Sequence, residues 1–411
     1  MSLRINLERL KKDLLALSEF GRDKKGGITR PSFSQADLEA RAWLKERIEE
    51  AGLSFRQDGA GNIFGRLEGK GKTVMVGSHH DTVVNGGMFD GATGVLAGLE
   101  CLRRIKEEGV EVSRPIEVAS FTDEEGNLVG DFLGSRAFVG LLKREELEKG
   151  ITSIGVPFSE ILERTEFSLE SILKAHRQRP ELEAYLELHI EQGALLETED
   201  KPIGIVDVIA GKHYRRCAFL GKADHGGTTP LELRQDAFLG TADFALRSIQ
   251  LVATKYYGSV VTIGQVRLSP GGFNIVPAEA DFTFEFRSTS RETLRELENV
   301  LFSLAENIAS TRGLRFVSEV VDHVDPVELA PGIKKLMKEE CEKLGYPYMN
   351  LPSGAGHDAQ IVANVAQAGM IFIPSVDGAS HSPQEKITWE DLEKGANLLL
   401  QTVLRLARLN Y

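Results

Sequence analysis

Hydrophobic positions along much of the chain fall into short apolar runs and helical stripes. The runs Thr73 to Gly77, Ile116 to Phe121, Tyr185 to Ile190 and Met370 to Pro374 are typical of buried strands. The segment Gly94 to Lys106, which lies between the first two runs, has a helical pattern. Because strand, helix, strand is the crossover unit of a parallel sheet, the pattern predicts a layered α/β domain with a central, mostly parallel sheet.

The stretch from Lys212 to His323 has a different rhythm. Its segments are in turn extended, helical, extended, extended, helical and extended: Arg216 to Gly221, Leu233 to Val252, Ser259 to Val266, Ala280 to Arg287, Arg291 to Ser310 and Leu314 to Val321. This order is the ferredoxin-like pattern, which can fold as a separate unit. We therefore predict a discontinuous catalytic domain of residues 1–211 and 325–411 that carries an inserted α+β domain of residues 212–324.

The net charge and the lengths of the apolar runs argue against nucleic acid and membranes as partners. The 411 residues include 49 basic and 61 acidic side chains, a formal charge of -12 that argues against binding to nucleic acid. The longest apolar runs fall far short of the ~20 residues that span a membrane. The segment Met1 to Arg22 mixes charged and apolar positions as an amphipathic helix does, not as a signal peptide does, so we expect no membrane association and a cytoplasmic location.

Cysteine usage limits the kind of metal site. Cys101, Cys217 and Cys341 are widely separated and none is part of a Cys-x-x-Cys motif. This spacing suggests neither a disulfide framework nor a thiolate site, so a metal would have to use His and carboxylate ligands.

Such ligands follow the predicted strands. Taken singly, each motif has an ordinary explanation: a core histidine beside a turn aspartate, a glycine loop, or a solvated pair of glutamates. The carboxyl ends of parallel strands meet at one edge of a sheet, however, so these groups are expected to collect there and form a site of nitrogen and oxygen ligands. We expect Asp81 to hold the outer ring nitrogen of His79. The candidates are His79, Asp81, Asp90, Glu124, Glu125, His189 and His381.

Together the motifs resemble the M20 metallopeptidase-like superfamily, and within it the hydantoinase/carbamoylase branch of N-carbamoyl-L-amino acid hydrolases, β-ureidopropionases and allantoate amidohydrolases. The resemblance extends from about Gly26 to Glu385. It rests on His-x-Asp, Phe-Asp-Gly, Asp-Glu-Glu-Gly, His-Ile-Glu-Gln-Gly, Gly-Thr-Thr-Pro, Gly-Ala-Gly-His-Asp-Ala and Ser-His-Ser-Pro. Peptidase relatives commonly carry a carboxylate where this chain has His189, so the resemblance favours the carbamoylase branch.

The resemblance implies two divalent metal ions per subunit, for which Zn, Mn, Co and Ni are all suitable. Asp90 would bridge the two ions. His79 and His189 would complete the ligands of one ion, and Glu125 and His381 those of the other. Glu124 would act as general base and then return its proton to the leaving amine. The resemblance also suggests a cis peptide after Asp90.

The inserted domain resembles the lid and dimerisation domain of the family. In the segment Ala223 to Pro230, His225 would reach across a homodimer to stabilise the tetrahedral intermediate. Asn274 and Arg287 would contact the substrate carboxylate, for which an arginine provides a bidentate grip. Without the resemblance, these three would be a loop histidine, a turn residue and a surface cation. Further candidates for the same cleft are Gln192, Gly356 and His357.

Some positions depart from the pattern of the family. Relatives usually have Asn and Ala around the lid histidine, Gln-Arg after the hinge glycine, Leu beside the first metal histidine and Asp two residues before the substrate arginine. These differences bear on substrate identity more than on the reaction. The corresponding residues in this chain are Asp224, Gly226, Lys212, His213, His80 and Glu285.

We therefore expect a dinuclear amidohydrolase that acts on a small carboxylate-bearing substrate as a homodimer. The leading hypothesis is an N-carbamoyl-L-amino acid hydrolase, which releases amino acid, carbon dioxide and ammonia. An allantoate amidohydrolase or β-ureidopropionase is the next alternative, followed by an M20-type aminopeptidase or dipeptidase. A catalytically silent metal-binding scaffold is a different class, and Glu124 argues against it because such a protein needs no base beside a ligand.

Overall fold

In a computed structural model, which describes residues 3–408, the chain divides into two units. The first unit contains the chain up to Asp207, the segment Leu329–Leu351 and the chain from His357 onward. The second contains Val208–Glu328 and Pro352–Gly356. Within the described residues, we find no helix with the length and apolar character needed to cross a membrane.

Strands and helices are numbered separately, each in chain order. The strands are β1 (Ser54–Gln57), β2 (Ile63–Leu67), β3 (Thr73–His79), β4 (Ile116–Phe121), β5 (Leu182–Ile190), β6 (Ile203–Ile209), β7 (Gly211–Leu220), β8 (Asp224–His225), β9 (Val260–Thr262), β10 (Val266–Ser269), β11 (Ile275–Val276), β12 (Glu279–Ser288), β13 (Arg315–Val324), β14 (Val327–Glu328), β15 (Tyr348–Ser353) and β16 (Gln367–Ile373). The helices are α1 (Leu7–Ser18), α2 (Gln35–Glu50), α3 (Ala92–Glu107), α4 (Leu133–Val139), α5 (Arg144–Glu148), α6 (Phe158–Leu162), α7 (Leu169–Lys174), α8 (Leu195–Thr198), α9 (Ala237–Lys255), α10 (Arg291–Arg312), α11 (Pro331–Leu344), α12 (Asp358–Val362) and α13 (Trp389–Arg408).

The first unit is built on a sheet with the strand order β1-β2-β4-β3-β5-β16-β6. The four central strands, β4, β3, β5 and β16, are parallel to one another, and the strands outside them are antiparallel. The four apolar runs in the sequence are these four central strands. The predicted α/β class with a mostly parallel central sheet is therefore confirmed.

Helices α1, α3, α11 and α13 pack with the sheet into one large hydrophobic core. Val76 of β3, Val118 of β4 and Leu188 of β5 all belong to this core. Nearly every residue of α3 is buried, so the start of this helix, directly after Asp90 and Gly91, is held in a fixed place. A smaller apolar cluster packs helices α4 to α7 around the fully buried Phe158.

The second unit contains an antiparallel sheet in the order β10-β12-β7-β13, with β9 also paired to β12. Helices α9 and α10 pack on this sheet around a core that includes Phe219, Phe244 and Phe282. Several predicted boundaries in this unit differ from the structure; for example, β7 begins at Gly211 and not at Arg216. Helix α9 begins at Ala237 and not at Leu233, because the Asp236 side chain accepts the N–H groups of the first helical turn. The predicted strand Ser259 to Val266 is divided into β9 and β10, and the N–H of Gln265 donates to Thr283 Oγ1 in the gap.

Candidate metal centre

Polar side chains collect at the edge of the sheet where its four parallel strands end. His79 is the last residue of β3, and His189 is the last but one of β5. Asp123 follows the end of β4 by two residues. The loop that follows β16 carries His381. The parallel sheet therefore brings together chemical groups that lie far apart in the sequence.

Asp90 divides its two carboxylate oxygens between two groups of side chains. Its Oδ1 lies 3.5 Å from His79 Nε2 and 3.2 Å from His189 Nε2. Its Oδ2 lies 3.4 Å from His381 Nε2, which is also 3.7 Å from Glu125 Oε2. Within each group, one potential ligand atom per residue lies within 4.8 Å of the others. The two groups share Asp90 alone, and each is a group of side chains that could hold a metal ion.

The backbone orients two of the imidazoles. Nδ1 of His79 lies 3.1 Å from the carbonyl oxygen of Asp81, and Nδ1 of His189 lies 2.9 Å from that of Ile190. A carbonyl oxygen only accepts hydrogen bonds, so each ring carries its hydrogen on Nδ1 and presents the Nε2 lone pair to the centre. This is the tautomer that a metal ligand needs.

The carboxylate of Asp81 has other partners. It accepts the backbone N–H groups of Glu124 at 3.4 Å and Glu125 at 3.3 Å. Its nearest distance to His79 Nδ1 is 3.7 Å, longer than the contact made by its own backbone carbonyl. The carboxylate thus fixes the turn that carries both glutamates.

The turn itself is built around Asp123. This residue has a φ of 57°, in the left-handed region, and its buried carboxylate accepts the N–H groups of Asn127 and Leu128. The turn aims Glu124 at the cluster, with Oε2 3.7 Å from His79 Nε2. Gln192 and His381 also have positive φ values, 58° and 52°. Such strained conformations tend to occur at functional sites.

Glycine is required where the chain passes the first imidazole. A Cβ atom on Gly91 would lie 2.4 Å from the His79 ring, and Gly91 has a φ of 60°. The expected cis peptide after Asp90 is not present: among the described residues, the cis bond is Ser269–Pro270. The turn after Asp90 is made instead by the left-handed conformation of Gly91.

Burial and charge crowding shift the pKa values of the cluster. Burial, followed by the charge of Asp90, raises the pKa of Glu125 to about 8. Burial also raises the pKa of Glu124 well above its usual range. The hydrogen bond to Asp90 raises the pKa of His381 to about 9. These shifts show carboxylates that repel one another in a buried place, an arrangement that divalent cations would stabilise. The set of imidazole and carboxylate donors suits such ions.

Two more of the candidate residues adjoin this cluster. Gln192 Nε2 donates to Asp90 Oδ2 at 2.6 Å and lies 3.3 Å from His381 Nε2. His357 is buried, and its ring packs against the His189 ring with centroids 4.6 Å apart. Gln192 therefore contacts Asp90 directly, whereas His357 packs against the His189 ring, whose Nε2 faces Asp90.

The other candidates belong to the second unit. His225 accepts the N–H groups of Gly227 and Thr228 at Nδ1, at 3.0 and 3.1 Å, so its own hydrogen is on Nε2. The carbonyl oxygen of Asn274 accepts the N–H of Gly226 at 2.7 Å, which brings Asn274 beside the histidine loop. Gly356 also lies in this unit.

Arg287 is held by groups of the second unit. Its Nε donates to Glu285, and its Nη1 donates to the carbonyl oxygen of Gly354 at 2.8 Å. Its Nη2 lies 3.4 Å from the Tyr214 hydroxyl. The unusual Glu285 is therefore an ion-pair partner that orients the guanidinium.

The unusual His80 is explained by a buried polar contact. Its Nδ1 lies 2.6 Å from Ser120 Oγ, and its Nε2 lies 2.9 Å from Asp37 Oδ1. All three residues are almost completely buried. His80 therefore connects α2 with β4 and is not one of the groups around Asp90.

Sequence reasoning missed Glu385, a buried carboxylate that hydrogen-bonds to the backbone of Phe89 and Asp90. The available signal was its position four residues after His381, at the end of the region that resembles the family. A single glutamate in a loop is usually a solvated surface residue, so nothing in the neighbouring sequence marked this one as buried.

Comparison with known proteins agrees with this fold. The model of peptidase family M20/M25/M40 matches residues 75–405. The chain is 39% identical to an N-carbamoyl-L-amino acid amidohydrolase of Geobacillus stearothermophilus, covering 98% of each chain. It is 33% identical to an allantoate amidohydrolase of Escherichia coli, covering 95% of this chain and 96% of the relative.

Solved structures give the same result. A hydantoinase/carbamoylase family amidase of Burkholderia multivorans superposes with a TM-score of 0.90 at 33% identity, over 100% of both chains. The fold and the cluster of imidazoles and carboxylates are those of a metal-dependent hydrolase. The chain belongs to peptidase family M20/M25/M40, and the two relatives described above bear the names of amidohydrolases.

Proposed function

We propose that the protein hydrolyses the linear C–N bond of an N-carbamoyl-L-amino acid and releases amino acid, carbon dioxide and ammonia. The relatives support this substrate class, since the Geobacillus stearothermophilus protein bears that activity in its name. The observation that carries the proposal is the division of Asp90 between two groups of ligands, with His79 and His189 on Oδ1 and His381 on Oδ2.

In this proposal, His79, His189 and Asp90 hold one divalent ion, and Asp90, Glu125 and His381 hold the other. Zn, Mn, Co and Ni all suit these donors. When bound, such a pair supplies Lewis acidity, which polarises a carbonyl group and acidifies water. Gln192 supports the arrangement because it donates to Asp90 Oδ2 and thereby restrains the bridging carboxylate.

Glu124 is the proposed general base. Its carboxylate lies beside His79 in a buried place, and burial raises its affinity for a proton. A carboxylate in such a place can take the proton of the attacking water and deliver it to the leaving nitrogen, a dual role that one positioned group can perform. Asp81 supports this role because it binds the backbone N–H of Glu124.

The second unit is proposed as the lid and dimerisation domain. His225 has its hydrogen on Nε2, so it is suited to donate to a developing oxyanion, and we assign it that role in the partner subunit of a homodimer. Arg287 and Asn274 are proposed to bind the substrate carboxylate, with Gly356 and His357 as further substrate contacts. Exposed apolar side chains on α9, such as Leu246 at 73% and Ile249 at 56%, support a dimer contact on this unit.

Hydrolysis of allantoate is the second candidate, because a relative with that name covers nearly the whole chain at 33% identity. Both substrates carry a ureido group and a carboxylate, so the same cluster and the same arginine suit both. The difference must come from side chains that contact the rest of the substrate.

The test is an assay of ammonia release over N-carbamoyl-L-amino acids, N-carbamoyl-β-alanine, allantoate and dipeptides. It uses chelated enzyme and enzyme to which single metals have been restored. The proposal expects the highest kcat/KM on an N-carbamoyl-L-amino acid, with activity lost on chelation and regained with metal. A preference for allantoate would favour the second candidate, and cleavage of dipeptides alone would contradict both.

A further inference from the structure

Glu385 lies at the junction of two segments that carry candidate metal ligands. One segment, residues 85–91, contains Asp90, and the other, residues 378–385, contains His381. The two segments are almost 300 positions apart in the chain. The Glu385 side chain is 6% exposed, and its two oxygens face different segments.

Oxygen Oε1 binds the backbone of the first segment. It accepts the N–H of Phe89 at 2.7 Å and the N–H of Asp90 at 3.1 Å. Both residues are buried, so without this oxygen two N–H groups would lose their partner away from water. An unsatisfied buried donor costs about 1–3 kcal/mol.

Oxygen Oε2 faces the second segment. It lies 3.2 Å from the hydroxyl of Ser380, which is the residue before His381. The same hydroxyl lies 3.0 Å from Asp90 Oδ2. The Glu385 carboxylate and the Ser380 hydroxyl therefore connect Asp90 with the loop that carries His381. His381 itself has a left-handed backbone conformation, with a φ of 52°.

The chain makes room for this carboxylate at Gly87. A Cβ atom on Gly87 would lie 2.2 Å from the carboxyl carbon of Glu385, so any other residue would displace the side chain. The Glu385 carboxylate therefore occupies space that only a glycine at position 87 leaves open. The ring of Phe89 also packs against the ring of Trp389, which follows the second segment in the chain, with ring centroids 5.7 Å apart.

We propose that Glu385 is a positioning residue of the metal centre, which holds Asp90 and His381 at the spacing that two cations require. The inference rests on the proposed metal centre. Glu385 itself is in none of the groups of side chains that could ligate an ion among the residues that the structure describes. Outer partners of metal ligands typically contribute 10- to 100-fold to metal affinity.

The test measures zinc affinity of the full chain by competition with a chelator. Glu385→Ala removes the acceptor, so we expect zinc binding about 10- to 100-fold weaker. Glu385→Gln keeps an oxygen for the N–H groups of Phe89 and Asp90 and should stay within about threefold of the wild type, since it loses charge but no acceptor at Oε1. Glu390→Ala is the matched control, because Glu390 is exposed at the start of α13 and pairs with Lys394.

Circular dichroism of the metal-free variants checks that they fold. If Glu385→Ala does not fold, Gly87→Ala displaces the same carboxylate from the other side and should weaken zinc binding in the same way. Zinc affinity equal to wild type in whichever of these two variants folds would overturn the proposal. Equal weakening in Glu385→Gln and Glu385→Ala would also overturn it, because charge and not hydrogen bonding would then be responsible.

Asp90→Asn separates this inference from the proposed metal centre. If Asp90→Asn binds zinc as the wild type does, the metal centre itself is wrong. If Asp90→Asn loses zinc while Glu385→Ala keeps it, only the role of Glu385 is wrong.

Discussion

Asp81 contacts the His79 ring through its backbone carbonyl, at 3.1 Å from Nδ1, and not primarily through its carboxylate, at 3.7 Å. The carboxylate instead accepts N–H groups from the turn that carries Glu124 and Glu125. Asp81 thus orients His79 through its backbone carbonyl and the turn of Glu124 and Glu125 through its carboxylate. Loss of the carboxylate should therefore affect the proposed general base, Glu124, more than metal binding.

We therefore expect Asp81→Asn to lower kcat while metal affinity stays within a few fold of wild type. The backbone carbonyl that orients His79 is unchanged. The N–H groups of Glu124 and Glu125, however, bind different oxygens of the Asp81 carboxylate, and an amide has only one acceptor oxygen, so one of the two N–H groups loses its acceptor. Steady-state kinetics and zinc titration of the same preparation measure the two effects. A 10- to 100-fold loss of metal affinity would indicate that the carboxylate orients His79 after all.

Glu124→Gln should abolish proton transfer without loss of metal. The amide cannot accept the proton of water, and general acid–base groups typically contribute 10²- to 10⁴-fold, so we expect kcat to fall by about that factor. Metal content is measured by mass spectrometry on the protein used for kinetics. Equal losses of metal and turnover would contradict the role of Glu124 as base.

Metal content should distinguish a shared ligand from an unshared one. His381→Ala removes a ligand candidate that lies near Asp90 Oδ2 and Glu125 but not near His79 or His189. About one ion per chain should therefore remain, because His79, His189 and Asp90 are unchanged. Asp90→Asn weakens both groups and should lose both ions. Dialysis followed by elemental analysis measures the ratio. The same content in the two variants would contradict a bridging role for Asp90.

His213 in the second unit should make stability depend on pH. Burial, followed by the charges of His323 and Arg215, lowers the pKa of His213 to about 4. In the unfolded chain a histidine takes up its proton near pH 6.5, so the unfolded state binds more protons than the folded state between about pH 6.5 and 4. Stability from this residue is therefore lost as the pH falls through that range.

The thermal unfolding midpoint, measured from pH 7 to pH 4, should fall less steeply in His213→Gln than in wild type. His323→Gln is a second variant to compare. The rings of His213 and His323 lie 4.0 Å apart, so removal of the His323 ring relieves the charge repulsion on a protonated His213. The slope of this variant should lie between the other two. Identical slopes in all three proteins would show that His213 does not contribute.

The extent of the prediction from sequence can be judged at particular elements. The four apolar runs that correspond to β3, β4, β5 and β16 could be predicted as strands, because fully buried strands are apolar throughout. The antiparallel strands β1 and β2 and the helices α4 to α7 were not predicted, because short half-buried segments carry little periodicity. The start of α9 was predicted too early, at Leu233, because this apolar residue lies four positions before Ala237 and so fits the helical spacing, although it is exposed and precedes the Asp236 cap.

The fold class and the set of candidate imidazoles and carboxylates can be predicted from the sequence, since burial patterns and motif spacing are properties of neighbouring residues. Three features depend on the folded chain: which oxygen of Asp90 faces which imidazole, the backbone carbonyl that orients His79, and the contact of Glu385 with Asp90. These contacts join residues up to almost 300 positions apart, and they depend on distances of a few ångströms. Local sequence patterns carry no information on that scale, because the parallel strands and their loops set those distances only once the sheet has assembled.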